Sequence, residues 1–271
     1  MAEKWYEITL KPLQPLHIGS GNYGVVNPTW IFIPGWTMWG ALTASFGIKN
    51  DWDKTALSTH QKALFEEISN FYPEIAGKTH FPNYEKGDFC LGKFSEKKFR
   101  HIATDTFTST AINALYQSAN ESSLHEIEYL LPKTKENKPE DIYWKGIINI
   151  DKNNSTDLLD FLSGGTEISI GGERSKGFGR VVIHQVKELE EKEKWNIQND
   201  RIVSHAKTFV HFVSADCTEH ISQGEIISHV EVRKSDTNLM VFSGMKWIYK
   251  PGCAFSSQNL ILKKGIVRPC T

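Results

Sequence analysis

The segment Gly171-Gly172-Glu173-Arg174-Ser175-Lys176-Gly177-Phe178-Gly179-Arg180 is the most informative stretch of the chain. Strand-like residues flank it, Ile168 to Ile170 before and Phe178 to Ile183 after, so it reads as a tight connection between two β-strands. Glycines reach φ > 0 and leave backbone N–H groups uncovered, and a turn built from them can form a concave nest for an anion. Arg174, Lys176 and Arg180 add positive charge to that nest, which suits phosphate oxygens. Phe178 offers either a stacking face or an anchor into the core. The competing reading is a hairpin turn whose glycines satisfy geometry and whose charges stay solvated. The segment is no Walker A loop, because G-x-x-x-x-G-K-[ST] is not matched. It is no dinucleotide fingerprint either, since the glycine spacing is wrong and strands lie on both sides.

Upstream, Ser155 or Thr156 is positioned to cap a helix carrying Leu158, Leu159 and Leu162, which Gly164-Gly165 ends. Trp144 to Ile150 reads as a strand. At the N-terminus, Tyr6, Ile8 and Leu10 alternate with polar neighbours and predict a strand over Trp5 to Lys11. A second β stretch is expected at Thr29 to Ile33. A short helix should follow Pro34-Gly35, with Met38, Ala41, Leu42 and Phe46 on one face and Gly47 as the residue after its end. Asp53 is the expected N-cap of a further helix presenting Leu57, Leu64, Ile68 and Phe71. The basic run Lys93 to Arg100 contains Phe94 and Phe99, and the Thr/Ser-rich segment after it, Ala103 to Ala111, has no assignable structure. Lys187 to Lys194 alternates Glu and Lys and reads as a solvated linker or helix face, where a domain boundary is placed. This divides the chain into an N-terminal unit over 1–186, a linker over 187–207 and a β-rich unit over 208–271.

The bulk numbers bound the function. The chain has 271 residues with a formal net charge of −1, so an RNA or DNA site must come from local concentration of Lys and Arg. Four well-separated cysteines without a C-x-x-C pair read as free thiols. No apolar run approaches the roughly 18 residues a membrane span needs, and Met1 to Trp5 lacks a secretory pattern. A cytoplasmic protein is the expectation. His211, Cys217 and His220 have metal-capable side chains but no evident fourth ligand, so no metal is expected.

The succession Gly-Gly, strand, Gly-Gly-x-Arg-x-x-Gly-Phe-Gly-Arg-Val resembles the signature of the RAMP superfamily of CRISPR RNA-binding proteins. Pro15-Leu16-His17-Ile18-Gly19-Ser20-Gly21 is similar to the family's "P-L-H-I-G-S-G". Ile33-Pro34-Gly35-Trp36-Thr37-Met38-Trp39-Gly40-Ala41-Leu42 resembles its "I-P-G-S-S-L-x-G-A-L". Thr110-Ala111 to Leu115-Tyr116, with Trp144-Lys145-Gly146, resembles the stretch flanking an inserted thumb. Phe242-Ser243-Gly244-Met245-Lys246 to Phe255 resembles a block of the Cas-five-like group, the Csm-four and Csx-ten type of type III effector complexes.

The resemblance implies an α+β fold of two ferredoxin-like (RNA-recognition-like) units with antiparallel sheets, a glycine-rich loop and a thumb inserted at about 93–140. It implies a non-catalytic subunit that holds the 5′ handle of the CRISPR RNA and caps one end of a type III complex. The implied partners are the large polymerase-like subunit, neighbouring backbone-forming subunits and target RNA nearby, with no cofactor and no membrane. The RNA contacts expected are Gly171, Gly172, Arg174, Ser175, Lys176, Gly177, Phe178, Gly179 and Arg180 of the loop. To these are added His17, Gly19 and Ser20 of the turn, Trp36, and the basic residues Lys93, Lys97, Lys98 and Arg100. Trp36, Trp39, Phe94, Phe99 and Phe107 are candidates for base stacking. His17 has a competing role as a hydrogen-bonded structural residue. Two rival activities are cleavage of guide RNA with His17 or His101 as base, and metal-dependent cleavage of target RNA involving Asp105.

Overall fold

In the strand Lys4–Pro12 the side chains of Ile8 and Leu10 are fully buried on one face while Glu7 and Lys11 on the other are partly exposed, as expected where one face of a sheet packs on a core. The computed structural model describes residues 4–52, 58–150, 155–203, 208–217, 221–234, 240–255 and 260–269. Lys4–Pro12 lies inside a six-stranded sheet ordered Glu167–Ser169, Arg180–Glu188, Lys4–Pro12, Ile142–Ile150, Tyr72–Ile75, Lys78–Thr79. Every pairing in it is antiparallel. Along the chain the elements run strand, α1 (Gly35–Lys49), strand Tyr72–Ile75, strand Ile142–Ile150, a helix over Ser155–Phe161, strand Arg180–Glu188. The two helices meet through Phe46 and Phe161, whose ring centroids are 5.1 Å apart, with Phe65 beside both.

Three local expectations are corrected. Helix α1 runs through Gly47 to Lys49 and ends at Asn50, whose side-chain amide donates to the Phe46 carbonyl. Gly47 is buried inside the helix, where an added Cβ would lie 3.1 Å from the Trp52 ring, so this glycine makes room for packing and does not end the helix. Thr29 to Ile33 forms single bridges, Gly19 to Thr29 and Ile33 to Phe71, in place of a strand. Asp53 and Leu57 lie outside the described residues. The next helix, α2 (Thr59–Ala63), starts from a capping box of Ser58 and Gln61. Ile68 and Phe71 lie beyond it, because Phe71 exchanges backbone hydrogen bonds with Ile33.

Between Thr79 and Ile142 the chain leaves the sheet. A meander (Pro82–Glu85, Asp88–Leu91, Phe94–Ser95) leads into α3 (Glu96–Ala103), which Ser95 caps by accepting from the Lys98 N–H. The Thr/Ser-rich segment forms a strand, Thr104–Ser109, paired antiparallel with His125–Leu130, while Val26–Asn27 joins His125–Leu130 in parallel. A small exposed hairpin, Ile112–Asn113 with Ser118–Ala119, projects at the far end.

The second half is a seven-stranded sheet ordered Ile197–Gln198, Arg201–Ile202, Leu260–Lys263, Ile266–Pro269, Phe212–Ser214, Met240–Tyr249, Ile226–Lys234. Its pairings are antiparallel except that Phe212–Ser214 and Ile266–Pro269 run parallel, a departure from the wholly antiparallel sheets expected. No α-helix follows Phe161 among the described residues.

The halves lock together at a glycine turn. An added Cβ on Gly35 would lie 2.4 Å from the Gly265 nitrogen. Asn70 accepts from the Gly35 N–H at 2.9 Å and donates to the Gly265 carbonyl, and the Gly265 N–H donates to Ile68. The Tyr72 hydroxyl donates to the Val210 carbonyl. Phe32, Trp36 and Phe212 stack across the seam, so one hydrophobic core runs through both halves. Among the described residues, no helix is long and apolar enough to cross a membrane.

Candidate functional site

The glycine-rich loop is seated on the Pro15–Ile18 turn. The Gly172 N–H donates to the His17 carbonyl and the Gly179 N–H to the Pro15 carbonyl, each at 2.9 Å. Gly171, at φ +78°, approaches so closely that an added Cβ would lie 2.2 Å from the His17 carbonyl oxygen. The segments "P-L-H-I" and "G-G…G-F-G" are thus two sides of one contact. At the crest, Glu173 takes a left-handed conformation, Arg174–Lys176 makes one 3-10 turn, and Gly177 at φ +85° returns the chain to the strand.

This seating commits part of the loop's backbone to the protein itself. The N–H groups of Gly172, Lys176, Gly177 and Gly179 donate to protein carbonyls, and that of Arg180 reaches the Gln14 side chain. Charge is divided in the same way. Lys176 pairs with Glu173 at 2.8 Å and meets Nε2 of His125 at 3.0 Å, tying the loop to the neighbouring strand. The hydrogen bond from Lys176 holds the Glu173 carboxyl below its usual range. Arg180 pairs with Glu167. Arg174 is exposed, its Nε bonded to the Gly171 carbonyl, and among the described residues it has no carboxylate partner. Ser175 beside it is also exposed.

Phe178 is buried against Tyr129 and Phe107, with ring centroids at 5.2 and 6.5 Å, so it anchors the loop and offers no stacking face. The His17 ring is buried, and its Nδ1 lies 2.7 Å from the Glu128 carbonyl. A carbonyl only accepts, so Nδ1 carries the proton and the ring is held as a structural element. Gly19 is exposed, and Ser20 donates to the Pro28 carbonyl.

On α3 and just before it, Lys93, Lys97 and Lys98 are exposed. Arg100 binds Glu96, the Thr29 carbonyl and, at 2.7 Å, Glu128. Glu128 in turn accepts from the Thr29 N–H and the Thr104 hydroxyl. Phe94 and Phe99 are core residues and leave the set of stacking candidates. Trp36 sits on the seam, 4.8 Å from Phe212 and 4.7 Å from His229. Trp39 donates to the Lys62 carbonyl beneath the ammonium of Lys264, 3.5 Å from the ring centroid. Phe107 remains exposed.

Sequence reasoning missed His125, Glu128 and Tyr129. They reach the loop because His125–Leu130 runs beside the Pro15–Ile18 turn, where Leu16 and Leu130 exchange backbone hydrogen bonds, and nothing in the periodicity announced that strand. His211 is buried with Nε2 on the Trp195 carbonyl, Cys217 is buried against the Val267 carbonyl, and His220 lies outside the described residues. Among the described residues there is no group of three or more His, Cys, Asp or Glu able to hold a metal. Asp105 is exposed, 4.0 Å from Lys135.

The turn and the glycine-rich loop both fall within residues 9–182, which match the RAMP superfamily. The chain belongs to the RAMP superfamily. This RAMP chain is similar in fold to a chain in a cryo-EM structure of the type III-B Cmr-beta complex bound to cognate target RNA and AMPPnP. There the TM-score is 0.59 at 14% identity, covering 95% of this chain and 86% of that one. A second structure, of Cmr-beta bound to cognate target RNA, gives a TM-score of 0.60 at 13% identity with the same coverage. No curated protein matches the sequence.

Proposed function

We propose that this RAMP protein is a subunit of a type III CRISPR effector complex that grips guide RNA without cutting it. Its place is the Cas-five-like position, holding the 5′ handle at one end of the complex. It sits there against the large polymerase-like subunit and the first backbone-forming subunits, with target RNA passing nearby. The two solved structures that share its fold were determined with target RNA bound, and we extend that setting to this chain. The first sheet's β–α–β–β–α–β succession, with its four main strands in the order fourth, first, third, second, is read as one ferredoxin-like unit. The second sheet is read as a reduced second unit whose open face is covered by the first. The glycine loop lies about two-thirds of the way along the sequence, and Phe242 to Phe255 builds most of the long hairpin strand and the turn after it. Both features support the Cas-five-like assignment.

The observation that carries the reading is the crest of the loop. Its backbone is fixed on the Pro15–Ile18 turn, its other cations hold carboxylates, and Arg174 projects with Ser175 and no acidic partner among the described residues. An exposed guanidinium on a rigid backbone is a phosphate-binding device. Recognition of this kind positions a strand without reading its bases, as a guide holder requires.

The test is binding of single-stranded repeat RNA by the wild type and by the variant Arg174→Ala with Lys176→Ala. The variant is expected to bind more weakly, with the slope of log K against log salt reduced by about 0.7 for each phosphate that is no longer neutralised. Unchanged affinity and slope in a folded variant would remove the loop from the RNA site. Site-specific cleavage of the same RNA by the wild type would refute the non-cutting assignment.

A further inference from the structure

Beyond the Pro15–Ile18 turn the two halves leave a groove of about 810 Å³, and none of the glycine-loop residues lines it. One wall is Ser20 and Tyr23. The other is Trp247 and Ser228 of the hairpin Ile226–Lys234 with Met240–Tyr249, and the rings of Trp30 and Phe89 line it between them. The Lys250 ammonium lies 5.9 Å from the centroids of both Trp30 and Phe89, held in place by Glu225 at 2.7 Å.

We propose that this groove takes an unpaired nucleobase of the bound RNA, an inference that rests on the RNA-binding reading above. Three observations carry it. First, aromatic faces stand open here: Tyr23 is 73% exposed and Trp247 50% exposed. Large rings left uncovered at the mouth of a groove are platforms for another flat ring, and stacking tolerates any base. Second, the lining mixes those rings with charge and hydroxyls. An apolar occupant would strip water from Lys250, Glu225 and the Glu128–Arg100 pair and return no hydrogen bonds, whereas a base presents donors and acceptors around its edge and a phosphate beside it. Third, the groove adjoins the loop site. Only the stretch from His17, which binds the loop, to Ser20, which lines the groove, separates the two. That is about 10 Å of extended chain, so one strand lying on Arg174 reaches the groove within a few nucleotides.

The experiment titrates the full chain with an octamer of adenosine and with an octamer of the same length made of abasic ribose phosphates, following tryptophan emission. The wild type should bind the base-bearing octamer more tightly and with quenching. Trp247→Ala is expected to lose about 5- to 100-fold in affinity for that octamer and to leave the affinity for the abasic octamer unchanged, with Trp247→Phe restoring most of the loss. Lys250→Gln gives a second reading and should also weaken the base-bearing octamer. Equal binding of the adenosine octamer by wild type and Trp247→Ala, with the Arg174 dependence intact, would overturn the groove assignment and leave the loop reading standing. Release of a co-purifying subunit by Trp247→Ala, with RNA binding unaltered, would assign the groove to a protein partner and overturn the proposal. Failure of both octamers to bind the wild type at all would take the RNA reading down and the groove with it.

Discussion

At Gly171 an added methyl group would lie 2.2 Å from the His17 carbonyl oxygen, whereas at Gly177 it would meet nothing within 4 Å. Both residues have positive φ, +78° and +85°, so alanine at either carries the left-handed strain of about 1–2 kcal/mol. Only at Gly171 must the loop also lift off the Pro15–Ile18 turn. Gly171→Ala is therefore expected to lower the urea midpoint clearly more than Gly177→Ala, and to weaken RNA binding, while Gly177→Ala retains it. Equal losses in the two variants would show that seating on His17 contributes little. The four loop glycines look alike in the sequence. What separates Gly171 from Gly177 is a carbonyl oxygen more than 150 positions earlier, which composition cannot reveal. The same distance effect hid the fate of Phe178, whose burial depends on Tyr129 and Phe107.

Among the elements, α3 and the strand beside it show where charge counting misleads. Lys93 to Arg100 reads as one basic run, yet helical geometry and the Ser95 cap turn Arg100 inward to Glu128 while Lys97 and Lys98 face solvent. The Arg100 and Glu128 side chains are mostly buried, at 29% and 14% exposure, and Glu128 also gathers Thr29 and Thr104. Removing the guanidinium leaves a mostly buried carboxylate short of its main partner. Arg100→Ala is expected to cost about 2 kcal/mol of stability, and Glu128→Gln in the same background should recover part of it. A cycle in which the two changes simply add would show that the pair does not act together. The strands Lys4–Pro12 and Arg180–Glu188 were legible from buried residues two apart, Ile8 with Leu10 and Val181 with Ile183, and Ile142–Ile150, buried at every position from Gly146 on, as a short apolar run. The pairing of Thr104–Ser109 with His125–Leu130 was not, because the first strand is mostly exposed and Thr/Ser-rich, the second buries only Ile127 and Leu130, and the register is set by contacts far apart in the chain.

For the whole molecule, one core spans both sheets, and the boundary expected at 187–207 does not interrupt it: Trp195 is buried against Tyr72 and Phe81 of the first half. Two histidines sit in this shared interior. His211, fully buried beside Phe209 with Nδ1 lacking a partner among the described residues, has its pKa pushed down to about 4 by burial, only partly offset by its bond to the Trp195 carbonyl. His80 is pushed down to about 4 by burial and then by Lys93 and Lys78. In the unfolded chain both titrate near the ordinary value of about 6.5. Below that value the unfolded state binds more protons than the folded one, so stability must fall as pH drops from about 6.5 towards 4. For His211 alone the loss between pH 7 and pH 5 is about 2 kcal/mol. Urea unfolding at the two pH values measures it. Tryptophan emission and circular dichroism should give one coincident transition, because neither half can open without exposing the seam. His211→Gln, which keeps a donor for the Trp195 carbonyl and removes the titration, should flatten the pH dependence by that amount and leave the portion due to His80. An unchanged pH slope in His211→Gln would mean that this ring already takes up its proton in the folded state, and that its burial is less complete than the packing of the two halves requires.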